Sequence, residues 1–168
     1  MTGFTIENQK EFMNLLLRTD AFDRFLITEA EIRTNALFQI NCRLSKGFYE
    51  SEELSALKLS EGDPLPYSMM RETLFDLIKG KHLPISLKLV LSLSEEDTGK
   101  LILSSGTPMR SGDLSGLFLN LSYLGGVLRI TTGIGYRIFS KDRSLEASWD
   151  AFIGQFLTSH GILFTEIG

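Results

Sequence analysis

Residues 117–139 read LFLNLSYLGGVLRITTGIGYRIF. Apolar side chains fall at Leu117, Leu119, Leu121 and Tyr123, then at Leu128, Ile130, Ile134, Tyr136 and Ile138. Alternation of this kind marks a strand with one face turned to a core. Between the two runs, Gly125-Gly126 supplies the positive φ angles that a two-residue type I′ turn requires. A turn there sets Tyr123 opposite Leu128 and Leu121 opposite Ile130. Cross-strand partners point to the same face, so the turn and the hydrophobic pattern agree on one register. The expectation is an antiparallel hairpin that buries Leu117, Leu119, Leu121, Leu128, Ile130 and Ile138. The stretch holds no catalytic group in a recognisable setting, so it decides fold and leaves chemistry open.

Working outward, residues 85–93 alternate at Ile85, Leu87, Leu89, Leu91 and Leu93. The polar segment 94–99 reads as a loop returning into a strand at Leu101 and Leu103. That hairpin sets Leu93 opposite Leu101 and Leu91 opposite Leu103. Residues 105–116, rich in Ser, Gly and Pro, read as a loop. A last helix starts at Asp142 or Ser144. Its core face is Trp149, Phe152, Ile153, Phe156 and Leu157 at helical spacing, and Gly161 ends it. Ile162 to Thr165 adds a short final strand.

Towards the N-terminus, residues 8–18 read as a helix with Asn8 and Glu11 in the capping-box relation. Residues 25–33 and 36–45 form a hairpin through Thr34-Asn35-Ala36, with Ile32 opposite Phe38 and Ala30 opposite Ile40. Residues 46–63 are a polar surface connection with at most one helical turn. Another helix starts near Tyr67, packs through Met70, Leu74, Leu77 and Ile78, and closes at Gly80. The resulting order, α-β-β-α-β-β-β-β-α, suggests an internal α-β-β repeat. The fold class is α+β: an antiparallel sheet of about six strands with two to three helices on one face, the other face partly open.

The whole chain, residues 1–168, reads as one domain long enough to fold without metal or disulfide staples. Its net charge of −4 argues against a dedicated nucleic-acid binder. Nor is there a basic half: residues 1–84 carry 10 basic and 13 acidic groups, residues 85–168 carry 7 and 8. Cys42 is the single cysteine, which fits a reducing compartment. The first residues lack a secretory signal pattern, and no window approaches the ~18 apolar residues of a membrane span. These features point to a cytoplasmic protein that engages no membrane.

The groups able to carry chemistry are few. His82 lies in the loop Gly80-Lys81-His82-Leu83-Pro84, and His160 closes the last helix, where it suits the negative helix end. Neither has metal-ligand neighbours at helical spacing, so no metal and no cofactor is expected. Cys42 falls on the apolar phase of its strand and reads as a core residue. Gly133-Ile134-Gly135 lies inside a strand and lacks the strand–helix setting of a dinucleotide loop. It reads as a bulge or a close backbone approach. Glu29 and Glu31 fall on a solvent phase. No catalytic residue is assigned.

The polar phase of the strands is more suggestive. It carries Gln39, Asn41, Arg43, Lys88, Asn120, Arg129 and Arg137, interrupted by Val90, Phe118, Val127 and Phe139. Guanidinium forks and amides are good recognition groups, although any half-exposed sheet displays polar residues on one side. The leading expectation is a non-enzymatic binding or interaction domain that uses this open face, or a sheet edge, for a protein partner, a second copy or a ligand. The alternative is a small enzyme whose site assembles in space from His82, Asp20 or Asp23, and Arg residues.

Three passages have a familiar look. They are Asp20-Ala21-Phe22-Asp23-Arg24-Phe25-Leu26 leading into Glu29-Ala30, then Leu77-Ile78-Lys79-Gly80-Lys81, and the run from Tyr136-Arg137-Ile138-Phe139 to Trp149-Asp150. Together they resemble an uncharacterised family of small proteins from anaerobic Gram-positive bacteria. The resemblance extends over nearly the whole chain. It implies a bacterial cytoplasmic setting and brings no activity, cofactor or catalytic residue with it.

Overall fold

The computed structural model describes residues 2–167. Along the chain run β1 (Gly3–Ile6), α1 (Gln9–Arg18), β2 (Phe25–Arg33), β3 (Leu37–Asn41), α2 (Ser51–Leu57), β4 (Leu65–Pro66), α3 (Tyr67–Ile78) and β5 (Ser86–Leu93). There follow α4 (Glu95–Ser105), a 3₁₀ turn at Ser111–Asp113, β6 (Leu114–Leu124), β7 (Val127–Tyr136), α5 (Ser144–Ser159) and β8 (Phe164–Ile167). The class is α+β, with eight strands and five α-helices among the described residues. The sheet is antiparallel in the order β3-β2-β5-β6-β7-β1-β8, and β4 shares the outer edge of β2 with β3.

The β6–β7 hairpin forms in the expected register. Gly125 and Gly126 take φ of 59° and 78°, and Tyr123 pairs with Leu128 and Leu121 with Ile130. The β2–β3 hairpin also has Ile32 opposite Phe38 and Ala30 opposite Ile40, and Thr34 N–H donates to the Ala36 carbonyl. One phase of the strands is buried throughout: Phe4, Ile27, Ile32, Leu89, Leu119 and Ile130 are at most 1% exposed. Helices α1, α3, α4 and α5 add Phe12, Leu16, Leu74, Ile102, Trp149 and Ile153 to the same core. Full burial of one such side chain stabilises by about 1.5–3 kcal/mol relative to exposure, so this shared layer holds the fold. Trp149 is buried with its indole N–H donating to the Phe118 carbonyl at 3.0 Å. That contact satisfies the one polar atom of the ring.

Several expectations are corrected. Residues 95–105 are a helix, not a returning strand, so β5 pairs directly with β6, Leu91 opposite Leu119. The local chemistry explains it. Ser94 Oγ accepts from the Asp97 N–H at 3.2 Å, and three acidic residues fill the first turn, where the helix end is positive. Thr98 and Ile102, one turn apart, are buried while Leu103 is 86% exposed. The α-β-β repeat disappears with that strand, because α3 is followed by β5 alone and then by α4. The sheet exceeds about six strands because β1 and β4 are too short to show a pattern, and β8 starts at Phe164. Helices outnumber the expected two to three through α2, which buries no side chain, and α4.

Ile138 is 47% exposed, because β7 ends at Tyr136. Asn8 stands before α1 but makes no cap; its amide donates to the Gly161 carbonyl and its Oδ1 accepts from Leu163 N–H. The side chain thus ties α1 to the turn after α5. Of the two readings of Gly133-Ile134-Gly135, the close approach holds, at Gly135; the bulge lies on the partner strand, where the register shifts between Leu114 and Gly116. A Cβ at Gly135 would lie 2.0 Å from Ser115 Oγ and 3.0 Å from the Phe118 ring. Only a glycine lets those groups approach.

Candidate functional site

Strand pairing brings five of the seven sequence-selected residues onto one open face. Gln39, Glu31, Lys88, Ser122 and Arg129 form a row across neighbouring strands, and Asn41, Glu29, Val90, Asn120 and Thr131 form the next. Arg43 and Arg137 lie past the ends of β3 and β7. Arg43 donates to the Gly62 carbonyl at 3.2 Å and stands across a bridge from Pro64, and Arg137 N–H donates to the Asp113 carbonyl. On the face itself much of the polarity is already paired. Lys88 Nζ is 3.3 Å from Glu29, and Gln39 donates to Glu31 at 2.9 Å. Phe118 is half-buried on this face with its ring against Gly116 and Gly135. Phe139 is 86% exposed in the segment after β7.

A concavity lies elsewhere. Helix α1, the end of α3 with the segment 79–84, and one end of the sheet enclose a groove of about 860 Å³. Beneath it lie Leu87, Tyr123 and Leu128, three core-phase strand residues near the β6–β7 turn, of which Leu87 and Leu128 are buried and Tyr123 half-buried. Met13 and Leu17, one helical turn apart on α1, make one wall. Phe75 and Ile78 of α3, with Leu83 and Pro84, make the other. Leu83 is 81% exposed.

The rim is cationic. Lys10, Arg18 and Lys79 give it that charge, with His82 beside them and Glu11 the one carboxylate among the lining residues. The Arg18 guanidinium lies 5.2 Å from the centre of the Phe75 ring and the Lys79 ammonium 5.8 Å from it. Both therefore sit at the α3 end of the groove, in cation–π range. Lys79 also reaches Asp76 at 3.0 Å, in a solvent-exposed pair. Neither Lys10 nor Arg18 has a carboxylate within ion-pair distance among the described residues.

The groove takes in His82 and Arg18 but neither Asp20 nor Asp23. Asp23 is ion-paired with Arg71, and the Asp20 carbonyl accepts from Asp23 N–H in the turn after α1. The acid–base constellation considered from the sequence is thus split between two places. His160 interacts with its own helix end: its Nδ1 is 2.8 Å from the Phe156 carbonyl. Cys42 is buried, and burial together with the Glu29 charge pushes its thiol up to about 11, well away from nucleophilic use.

Sequence reasoning missed the groove itself, although it marked His82. A second, smaller cavity of about 230 Å³ lies between β7 and α5, beside Thr132 and Asp150. The Asp150 carboxylate accepts there from the Thr2 and Thr132 hydroxyls. This network satisfies polar groups under α5 and joins the N-terminal strand to the last helix. Among the described residues no three His, Cys, Asp or Glu side chains are grouped to hold a metal ion. No described helix is long and apolar enough to cross a membrane.

No curated protein and no solved structure matches the chain. A family model does match, over residues 15–165. That span takes in both hairpins, the groove wall of residues 75–84 with Leu17 and Arg18 of the other wall, and the last helix. The chain belongs to DUF5721, a family of unknown function.

Proposed function

We propose that this protein is a non-enzymatic binding domain whose ligand seat is the groove between α1 and residues 75–84. The observation that carries the reading is the combination of a concave apolar interior of about 860 Å³ with Lys10, Arg18 and Lys79 around it, Arg18 having no carboxylate within ion-pair distance among the described residues. Small-molecule sites are concave, mostly apolar and of about 300–1,000 Å³, with a few polar groups that set orientation. The open sheet face offers polar side chains but little depth, and Lys88 and Gln39 already have acidic partners there. A bacterial cytoplasmic setting goes with this reading, supported by the lone Cys42 and the resemblance of the chain.

Asn120, Arg129 and Thr131, neighbours on the open face, favour a second reading, in which a protein partner or a second copy covers that face. Native mass spectrometry of the purified chain, beside a groove-filling Met13→Trp variant, separates the two. The first reading expects a small molecule retained by the wild type and lost from the variant. A ligand or partner kept by Met13→Trp and lost from Arg129→Ala would contradict it.

A further inference from the structure

We infer that the groove takes an amphipathic anion, its apolar body along Met13, Leu17, Leu83 and Pro84 and its anionic head at Arg18 and Lys79; the inference rests on the groove being the ligand seat. Met13, Leu83 and Pro84 on the walls offer no side-chain hydrogen bond, so a polar body would leave water without replacement partners there. An apolar body loses nothing there and removes the exposed Leu83 from water. At the α3 end the chemistry reverses. Arg18 and Lys79 both flank the Phe75 ring, at 5.2 and 5.8 Å, so a head group placed beside that ring meets two cations at once. Hydrogen bonds to a charged acceptor are about twice as strong as neutral ones, and the arginine fork suits a carboxylate or phosphate. The Lys79–Asp76 pair is exposed to water on both sides and is readily exchanged for a better-placed anion. Lys10 and His82 on the rim add no acid, and Glu11 disfavours a cationic head.

Decanoate, decyl phosphate and decanol are suitable probes, titrated calorimetrically into the full-length chain at low salt. Both anions should bind at least about tenfold more tightly than decanol. Replacing Arg18→Gln together with Lys79→Gln should bring the three probes to parity with decanol affinity unchanged, while Arg18→Lys keeps most of the preference. Both positions are at the surface, and a thermal melt confirms that the variants fold. Equal binding of decanol and decanoate by the wild type, both lost in Met13→Trp, would overturn the anion inference and leave the groove as the seat. Decanoate binding that survives Met13→Trp would overturn the groove reading itself. No binding of any probe at millimolar concentration, or adsorption to anionic lipid vesicles without binding of monomeric decanoate, would also overturn the inference.

Discussion

On the open sheet face Lys88 sits 3.3 Å from Glu29 and Gln39 donates to Glu31, whereas in the groove Arg18 lies over the Phe75 ring with no carboxylate within ion-pair distance among the described residues. The two regions use similar residue types to different ends. On the face, acids and bases on adjacent strands satisfy one another, as cross-strand pairs do on any half-exposed sheet. In the groove, Lys79 keeps an exposed pair with Asp76, while Lys10 and Arg18 have no carboxylate within ion-pair distance among the described residues. Residue type alone therefore does not make a site. Depth and unanswered charge do.

Both regions hang on one packed layer, and the largest expected effect breaks both together. Leu121 is fully buried and pairs with Leu89 and Ile130. Leu121→Ala should cost ~2–5 kcal/mol in a urea melt, the range for large-to-small core changes. A loss below ~1 kcal/mol would mean that the sheet core is not shared as described.

Cys42 gives the next effect. Its thiol is held at about 11 in the folded chain against 9.0 for an ordinary thiol, so folding favours the neutral form. The associated stability is fully present below pH 9 and is lost as pH rises towards 11. Comparing wild type with Cys42→Ala over that window should show an excess loss of about 1–3 kcal/mol in the wild type alone. Parallel pH profiles would argue that Cys42 is not buried.

Trp149→Phe keeps most of the packing and removes the bond to the Phe118 carbonyl, at an expected ~1–3 kcal/mol. The smallest effect sharpens the contrast between face and groove. Lys88→Ala should change stability by less than ~1 kcal/mol, since its pair with Glu29 is half-exposed and screened. It should leave ligand binding untouched. A Lys88→Ala variant that lost ligand would return the function to the open face.

How much of this was legible depends on where the deciding groups lie in the chain. The β6–β7 register was readable because Gly125-Gly126 and the alternation constrain it independently. Five of the open-face residues were placed correctly for the same reason: a strand's period assigns its faces. Helix α4 misled because Leu101 and Leu103 alone fit a strand. Ser94 with Glu95, Glu96 and Asp97 was the better signal, a capped helix start with acids at its positive end. Strand β1 spans four residues with two core side chains, too few to show a period. The groove was not readable at all, since α1, residues 75–87 and the tip of the β6–β7 hairpin meet only after the sheet order is set. His82 in its Gly-Pro loop was the one trace of it.

Amide chemical-shift mapping of the ¹⁵N-labelled chain during a decanoate titration tests the central claim most directly. The account predicts that the shifts concentrate on Met13, Leu17, Ile78, Leu83 and Leu87, with Asn120, Arg129 and Thr131 unmoved. Shifts concentrated on those three open-face residues, with the groove silent, would contradict it.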